Sequence, residues 1–279
     1  MNRLPIEKRV QIINLLVEGV SMRATSRIAD VSNNTVTKLL CDVGAACAEF
    51  LDKALRNLTC KRVQADEIWS FVYAKQKQTT QEQRDQHGYG DCWTWTAICA
   101  DTKLMVAWQI GQRDAGVAHE FMENVASRLA NRVQLTTDGF KPYLAAVSSA
   151  FNNQIDYAQL VKIYGQPADS TDRRRYSPAE CSGTIIGKTI GMPDHEHIST
   201  SFVERSNLTM RMHMRRFTRL TNGFSKKVEN HMHAVSLHFM YYNFAKIHKT
   251  LRVTPAMEAG ISDHVWSIEE IVNLINIDG

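Results

Sequence analysis

The stretch from Val63 to Ile163 reads as an ordered series of strand and helix patterns, and that order leaves few folds open. VQADEIWSFVYA (63–74) is rich in β-branched and aromatic residues, as are WTWTAICA (93–100) and LMVAWQIG (104–111), with Asp101-Thr102-Lys103 between them as a hairpin turn. Residues 117–130 switch to helical spacing, with Val117, Phe121, Val125 and Leu129 on one face. RVQLTTDGF (132–140) is a short strand ending at Asp138-Gly139, followed by a helix over 141–151 and a strand over 155–163. The predicted order is β-β-β-α-β-α-β.

This is the order of a ribonuclease-H-like α/β domain, a mixed sheet with flanking helices. Three antiparallel strands come first, and a right-handed crossover then lays the fourth beside strand one. Asp66 lies inside strand one and Asp138 at the C-terminal end of the fourth, so the two carboxylates are expected to converge.

Ahead of this domain, residues 1–60 read as helices. Ile6, Val10, Ile13 and Val17 share one face, Gly19 ends that helix, and a second runs over about 21–29. After the turn Asp30-Val31-Ser32 a third helix opens with NNTVTKLL. A short helix, a tight turn and a polar-headed helix resemble a helix-turn-helix DNA reader, with Asn33, Asn34, Thr35, Thr37 and Lys38 facing bases or phosphates. The chain is thus expected to divide into a DNA-binding head (1–60), a catalytic domain (61–222) with an aperiodic insertion around 165–197, and a basic helical C-terminal part (223–279).

Charge and composition narrow the partners. Net charge is only +4, yet from Arg205 to Arg252 ten Lys or Arg face one acid, Glu229, a surplus suited to a polyanion. Helix periodicity from Val228 through Met232, Val235, Phe239 and Tyr242 gives a buried face and leaves an opposite, basic side for DNA. The six cysteines are scattered without a C-x-x-C pair, so neither a zinc ribbon nor a disulfide framework is expected. His231-x-His233 is expected on the surface or against phosphate. With no apolar run near the ~20 residues that span a bilayer and no signal-peptide h-region, a cytoplasmic, nucleoid-associated protein without membrane contact is expected.

HISTSFVERSNLTMRMHMRRF (197–217) places a single acid, Glu204, among four arginines. Ser201-Phe202-Val203-Glu204 fits a capping box, a purely structural reason for that Glu. Helical spacing gives another. Val203, Met210, Met214 and Phe217 form an apolar stripe to dock on the sheet, while Glu204, Asn207, Arg211 and Arg215 form a second stripe at its rim. That stripe would bring Glu204 to Asp66 and Asp138. Three converging carboxylates repel one another, and a divalent cation removes the conflict. Oxygen-only ligands suit Mg2+ or Mn2+, and two such ions ~4 Å apart serve phosphodiester displacement.

VQADEIWSFV, TTDGF and HISTSFVERSNLTMRMHMRRF together resemble the three acidic motifs of bacterial insertion-sequence transposases of the DDE type, in the retroviral-integrase superfamily. YYNFAKIHKTLRVTPAMEAG (241–260) resembles their closing stretch. The resemblance implies that Asp66, Asp138 and Glu204 form the metal-binding catalytic triad. It also implies that Asn207 and Arg211 contact DNA ends or orient the site, with Arg215 and Arg216 on the flanking backbone. The implied activity is metal-dependent cleavage at element ends and strand transfer into target DNA, by an oligomer assembled on that DNA. Asp138 and Glu204 stand farther apart than in many relatives, leaving Glu180 and Glu196 as rivals for the third position and Glu67 for the first. A catalytically inactive DNA-binding regulator and a nuclease using water alone are the competing readings.

Overall fold

A computed structural model describes residues 4–164, 181–218 and 222–276. Six strands form one sheet: β1 (Arg62–Val72), β2 (Gly90–Cys99), β3 (Met105–Gly111), β4 (Gln134–Thr137), β5 (Asp156–Tyr164) and β6 (Cys181–Ile190), in the order β3-β2-β1-β4-β5-β6. β1, β4 and β5 run parallel, and β2, β3 and β6 are antiparallel to their neighbours. The first five strands have the order and directions of a ribonuclease-H-like domain. The expected strands all form, each within a few residues of its sequence boundary.

β6 corrects the reading of residues 165–197 as an aperiodic insertion. Cys181–Ile190 extends β5 into a hairpin, with Val161 opposite Ile185 and Lys162 opposite Thr184. Residues 165–180, which include the Asp172–Tyr176 run and Glu180, lie outside the described residues.

Helices cover both faces of the sheet. α5 (Ala115–Arg128) and α6 (Pro142–Ala150) pack on one side, where Trp95 meets Phe121 and Tyr143 at ring distances of 5.8 and 5.6 Å. α7 (Ser201–His213) and α8 (Val228–Met240) cover the other. A short helix, α4 (Gln81–His87), lies between β1 and β2, closed by a capping box of Thr80 and Gln83.

α1 (Ile6–Val17), α2 (Met22–Ala29) and α3 (Asn33–Ala54) form the head. Ser21 and Ser32 hydroxyls cap α2 and α3, and Asp30 takes the left-handed conformation in the turn between them. The head does not stand apart: its apolar residues, those of the sheet and those of the C-terminal helices make one continuous core. α3 crosses α8 so closely that a Cβ on Gly44 would lie 2.5 Å from the His233 carbonyl oxygen. Farther along α3, Phe50 packs against Phe244 and Trp266 at 5.3 and 4.9 Å.

α8 therefore corrects the expectation of a basic, DNA-facing side. From Ala234 to Met240 every residue is buried, between α3 and the sheet. His231 is also interior rather than on the surface, bracketed by the hydroxyls of Ser70 (3.2 Å) and Ser225 (3.3 Å), and burial lowers its imidazole to about 3. Beyond α8, Asn243 exchanges two hydrogen bonds with the backbone of Met105, at 2.9 and 3.0 Å, and so covers the edge of β3. α9 (Pro255–Glu258) and α10 (Ile268–Asn273) start at the side-chain caps Thr254 and Ser267, the second within a capping box.

Candidate active site

Register brings the first two acids together. Ala65 on β1 lies opposite Thr137, the last residue of the parallel strand β4, so Asp66 and Asp138 follow side by side where that ladder ends. Asp138 is held in its turn by the backbone N–H of Phe140, which donates to Oδ1 at 3.0 Å. Gly139 allows this turn to sit on β5, because a Cβ there would meet Val161 Cγ2 at 2.8 Å.

α7 supplies the third acid. Its apolar stripe is buried as expected: Val203, Met210, Met214 and Phe217 all lie in the core. The helix itself stops at His213, where Met214 turns extended, and Arg215–Phe217 form a separate 3-10 turn. The capping box expected at Ser201 does not form; Thr200 is the N-cap, and its hydroxyl donates to Glu204 Oε1 at 2.6 Å. The free backbone N–H groups of Phe202 and Val203 donate to Gln64 Oε1 instead, at 2.8 and 3.1 Å. Gln64 lies two residues before Asp66 and on the same face of β1, since strand side chains repeat every second residue. It thus clamps the start of α7 directly beside the acids.

Asp66, Glu67, Asp138 and Glu204 line one cleft of about 830 Å3, together with Lys162, Asn207 and Arg211. Asn207 is buried and donates from Nδ2 to Asp66 Oδ2 at 2.9 Å, while accepting from Thr96 Oγ1 at 3.3 Å. The two hydrogen bonds tie Asn207 to β1 and β2. Glu204 is ion-paired with Lys162 of β5. Glu196, on a 3-10 turn, does not line the cleft.

Glu67 is more central than its standing as a rival to Asp66 suggested. Asp66, Glu67 and Asp138 each offer a carboxylate oxygen within 4.8 Å of the other two. The Glu67 side chain is only 1% exposed and receives Arg113 Nε at 3.1 Å; the same guanidinium reaches Asp138 at 3.3 Å and lies 4.0 Å from the centre of the Phe140 ring. Burial, then the charge of Asp138, pushes Asp66 up from 3.8 to about 6. The same two causes, opposed by Arg113, push Glu67 up from 4.5 to about 8. Crowded carboxylates that resist ionisation are the donor set a hard divalent cation would relieve, so the residues present fit such an ion.

The remaining expected positions divide. Asn33, Asn34 and Lys38 are exposed at the start of α3, with Thr35 and Thr37 half-buried there; Lys38 pairs with Asp42. Arg211 lines the acidic cleft, whereas Arg215 opens on a different one beyond the helix end. Arg216 departs from the expectation of DNA contact. Its guanidinium is desolvated, which lowers it to about 10, and its Nε donates to Ser225 Oγ at 2.7 Å. Sequence reasoning missed Gln64, Lys162 and Arg113. Only Gln64 left a signal, its two-residue offset from Asp66.

Strand order, strand directions and the acids at the end of the β1–β4 ladder define a ribonuclease-H-like α/β protein with a candidate metal-binding cleft. No protein-family model matches the chain, and no curated protein does. Among solved structures it is similar to the Mos1 transposase paired-end complex with left transposon end, at 12% identity and a TM-score of 0.25, covering 56% of this chain and 60% of that one. It is also similar to the Mos1 strand transfer complex, at 12% identity and a TM-score of 0.25, covering 86% of this chain and 76% of that one. The chain thus spans about 60% of the length of the first. At this identity and score the likenesses carry no weight for activity. No helix among the described residues is long and apolar enough to cross a membrane.

Proposed function

We propose that this chain is a DDE-type DNA transposase of the insertion-sequence kind, with Asp66, Asp138 and Glu204 as its catalytic carboxylates. One observation carries the reading: three acids standing at the three motif positions, from β1, the β4 turn and α7, line the same cleft. The Arg-rich segment that follows Glu204, and the polar head of α3, fit a DNA partner by charge and chemistry.

In this mechanism Asp66, Asp138 and Glu204 would hold one or two Mg2+ or Mn2+ ions, with Glu67 at the edge of the set. Bound there, such ions supply an activated oxygen nucleophile and stabilise the leaving oxygen of a phosphodiester. The chain's own groups do the rest. Asn207 fixes the Asp66 carboxylate, Thr200 fixes Glu204, and Gln64 holds the helix that carries Glu204. Lys162 pairs with Glu204 and balances its charge, and Arg211 offers a charge to a phosphate next to the reacting one. Arg113 balances Glu67 and Asp138 from the far side of the cluster.

The test is a joining assay. Purified protein is mixed with duplexes carrying the DNA that flanks its own coding sequence and with a supercoiled plasmid, with Mg2+, with EDTA, or as Glu204→Gln. Joined product that requires both metal and Glu204 supports the proposal. Nicking without joining favours the nuclease, and metal-independent binding with neither favours the regulator.

A further inference from the structure

A second cleft, of about 920 Å3, opens between the head and the end of α7. Its floor is apolar: Leu16 and Phe224 are half-exposed there, over the buried Leu40, Met214 and Leu237. Its rim is cationic. Arg23 at the start of α2, Arg215 after α7 and Lys226 before α8 are all exposed and converge on it from three segments. None of the three has an ion-pair partner among the described residues, and no Asp or Glu among them lines the cleft. Like charges gathered without a counter-charge raise the local potential for an anion. An apolar floor that includes an aromatic ring, under a basic rim, matches the two demands of an unpaired strand: a surface for bases and cations for the backbone. A duplex keeps its bases stacked inside and has no use for the floor.

Position strengthens the case. α7 passes from one cleft to the other: Glu204, Asn207 and Arg211 line the acidic cleft, and His213, Met214 and Arg215 the basic one. Ten residues separate Glu204 from Met214, about 15 Å along a helix. A few nucleotides of unpaired strand span that distance, since such a strand can extend beyond the ~3.4 Å step of a stacked duplex. We infer that this cleft binds a short run of unpaired DNA, continuous with the strand presented to the acidic site, its phosphates on Arg23, Arg215 and Lys226 and its bases on the apolar floor. The inference rests on the transposase reading for the second half of that statement only; the binding itself can be measured alone.

The experiment uses fluorescence anisotropy with the full chain, a short labelled oligothymidylate and a blunt duplex, over a range of salt. Arg23→Ala/Lys226→Ala is the test variant, since both side chains are exposed and make no ion pair among the described residues. The wild type is expected to bind the single strand. The variant is expected to bind it about tenfold more weakly, with a salt slope lower by about 1.4, at ~0.7 per lost phosphate contact, and to bind blunt duplex within about twofold of wild type. Equal loss on both probes, an unchanged single-strand affinity, or no single-strand binding by the wild type would overturn the inference. Glu204→Gln separates the two proposals, because it should abolish joining and leave oligothymidylate binding intact. Joining that survives Glu204→Gln would refute the transposase reading without touching the cleft.

Discussion

Replacing Gln64 by Met keeps the size of a buried side chain but removes the acceptor that begins α7. Gln64 is 3% exposed, and its Oε1 takes two backbone N–H groups, those of Phe202 and Val203. The two losses differ. Val203 is fully buried, so its N–H would lose its partner away from water, at about 1–3 kcal/mol. Phe202 is 39% exposed, so water can replace much of its bond, and that loss stays within about 1 kcal/mol. Together the change should destabilise the protein by about 1–4 kcal/mol, lowering the melting temperature by several degrees for a chain of this size. Urea unfolding gives the magnitude. Gln64→Glu keeps an acceptor but, when ionised, adds a buried charge beside Asp66, so it should preserve more stability than Gln64→Met only at low pH, where the Glu is protonated. If Gln64→Met unfolds at the same urea concentration as wild type, with the same slope, the side chain does not hold α7, and the account of how Glu204 is positioned is wrong.

Other consequences follow from the same contacts. Asp66 and Glu67 are raised in the fold, so the stability they contribute is fully present below their ordinary values of 3.8 and 4.5. It is lost as pH rises through about 6 and about 8. Metal-free protein should thus lose stability from about pH 4 to about pH 8 by urea unfolding, and Asp66→Asn should flatten the lower part of that fall; a stability that rises across the window would contradict the crowding of these acids. Arg113→Ala strips the partner from a carboxylate that is 1% exposed, so it should cost about 1–3 kcal/mol near pH 8.5 and much less near pH 5.5, where Glu67 takes up a proton. Gly44→Val forces a side chain into the α3–α8 contact and should destabilise by about 1–3 kcal/mol or more. Since head and sheet share one core, wild type should unfold in one transition by far-UV and tryptophan signals alike; an early, separate melting of the head would refute that.

The strand order was legible because period-two and period-3.6 patterns follow one another cleanly between Val63 and Ile163. Asp66 and Asp138 could be placed for the same reason: parallel pairing of the first and fourth strands leaves only one end at which they meet. β6 was not legible. CSGTIIGKTI is exposed along most of its length on both sides, so no alternation of apolar and polar residues marks it. The end of α7 was hidden for the opposite reason, since Met214 and Phe217 keep helical spacing and are buried although the backbone has left the helix. Arg216 and His231 have polar side chains that found partners inside, in Ser225 and Ser70, and a single sequence does not announce such pairings. α8 looked one-sided because sequence periodicity shows the face that packs on the sheet and not the face that α3 covers. Glu67 shows how little the alternation of β1 decides beyond the end of its neighbour: adjacent carboxylates of opposite face both reach Asp138 where β4 stops.

Acids from β1, the β4 turn and α7 are proposed to act as one metal centre, and calorimetric titration of Mn2+ measures whether they do. Wild type, Asp66→Asn, Asp138→Asn, Glu204→Gln and Glu67→Gln would be compared at one pH. Loss of an outer-shell partner alone typically costs 10–100-fold in affinity, so loss of a direct ligand should cost at least about tenfold. The account predicts that size of loss for Asp66, Asp138 and Glu204, and a smaller one for Glu67. Wild-type affinity in Glu204→Gln, with binding abolished in Glu67→Gln, would contradict it and assign the metal to Asp66, Glu67 and Asp138.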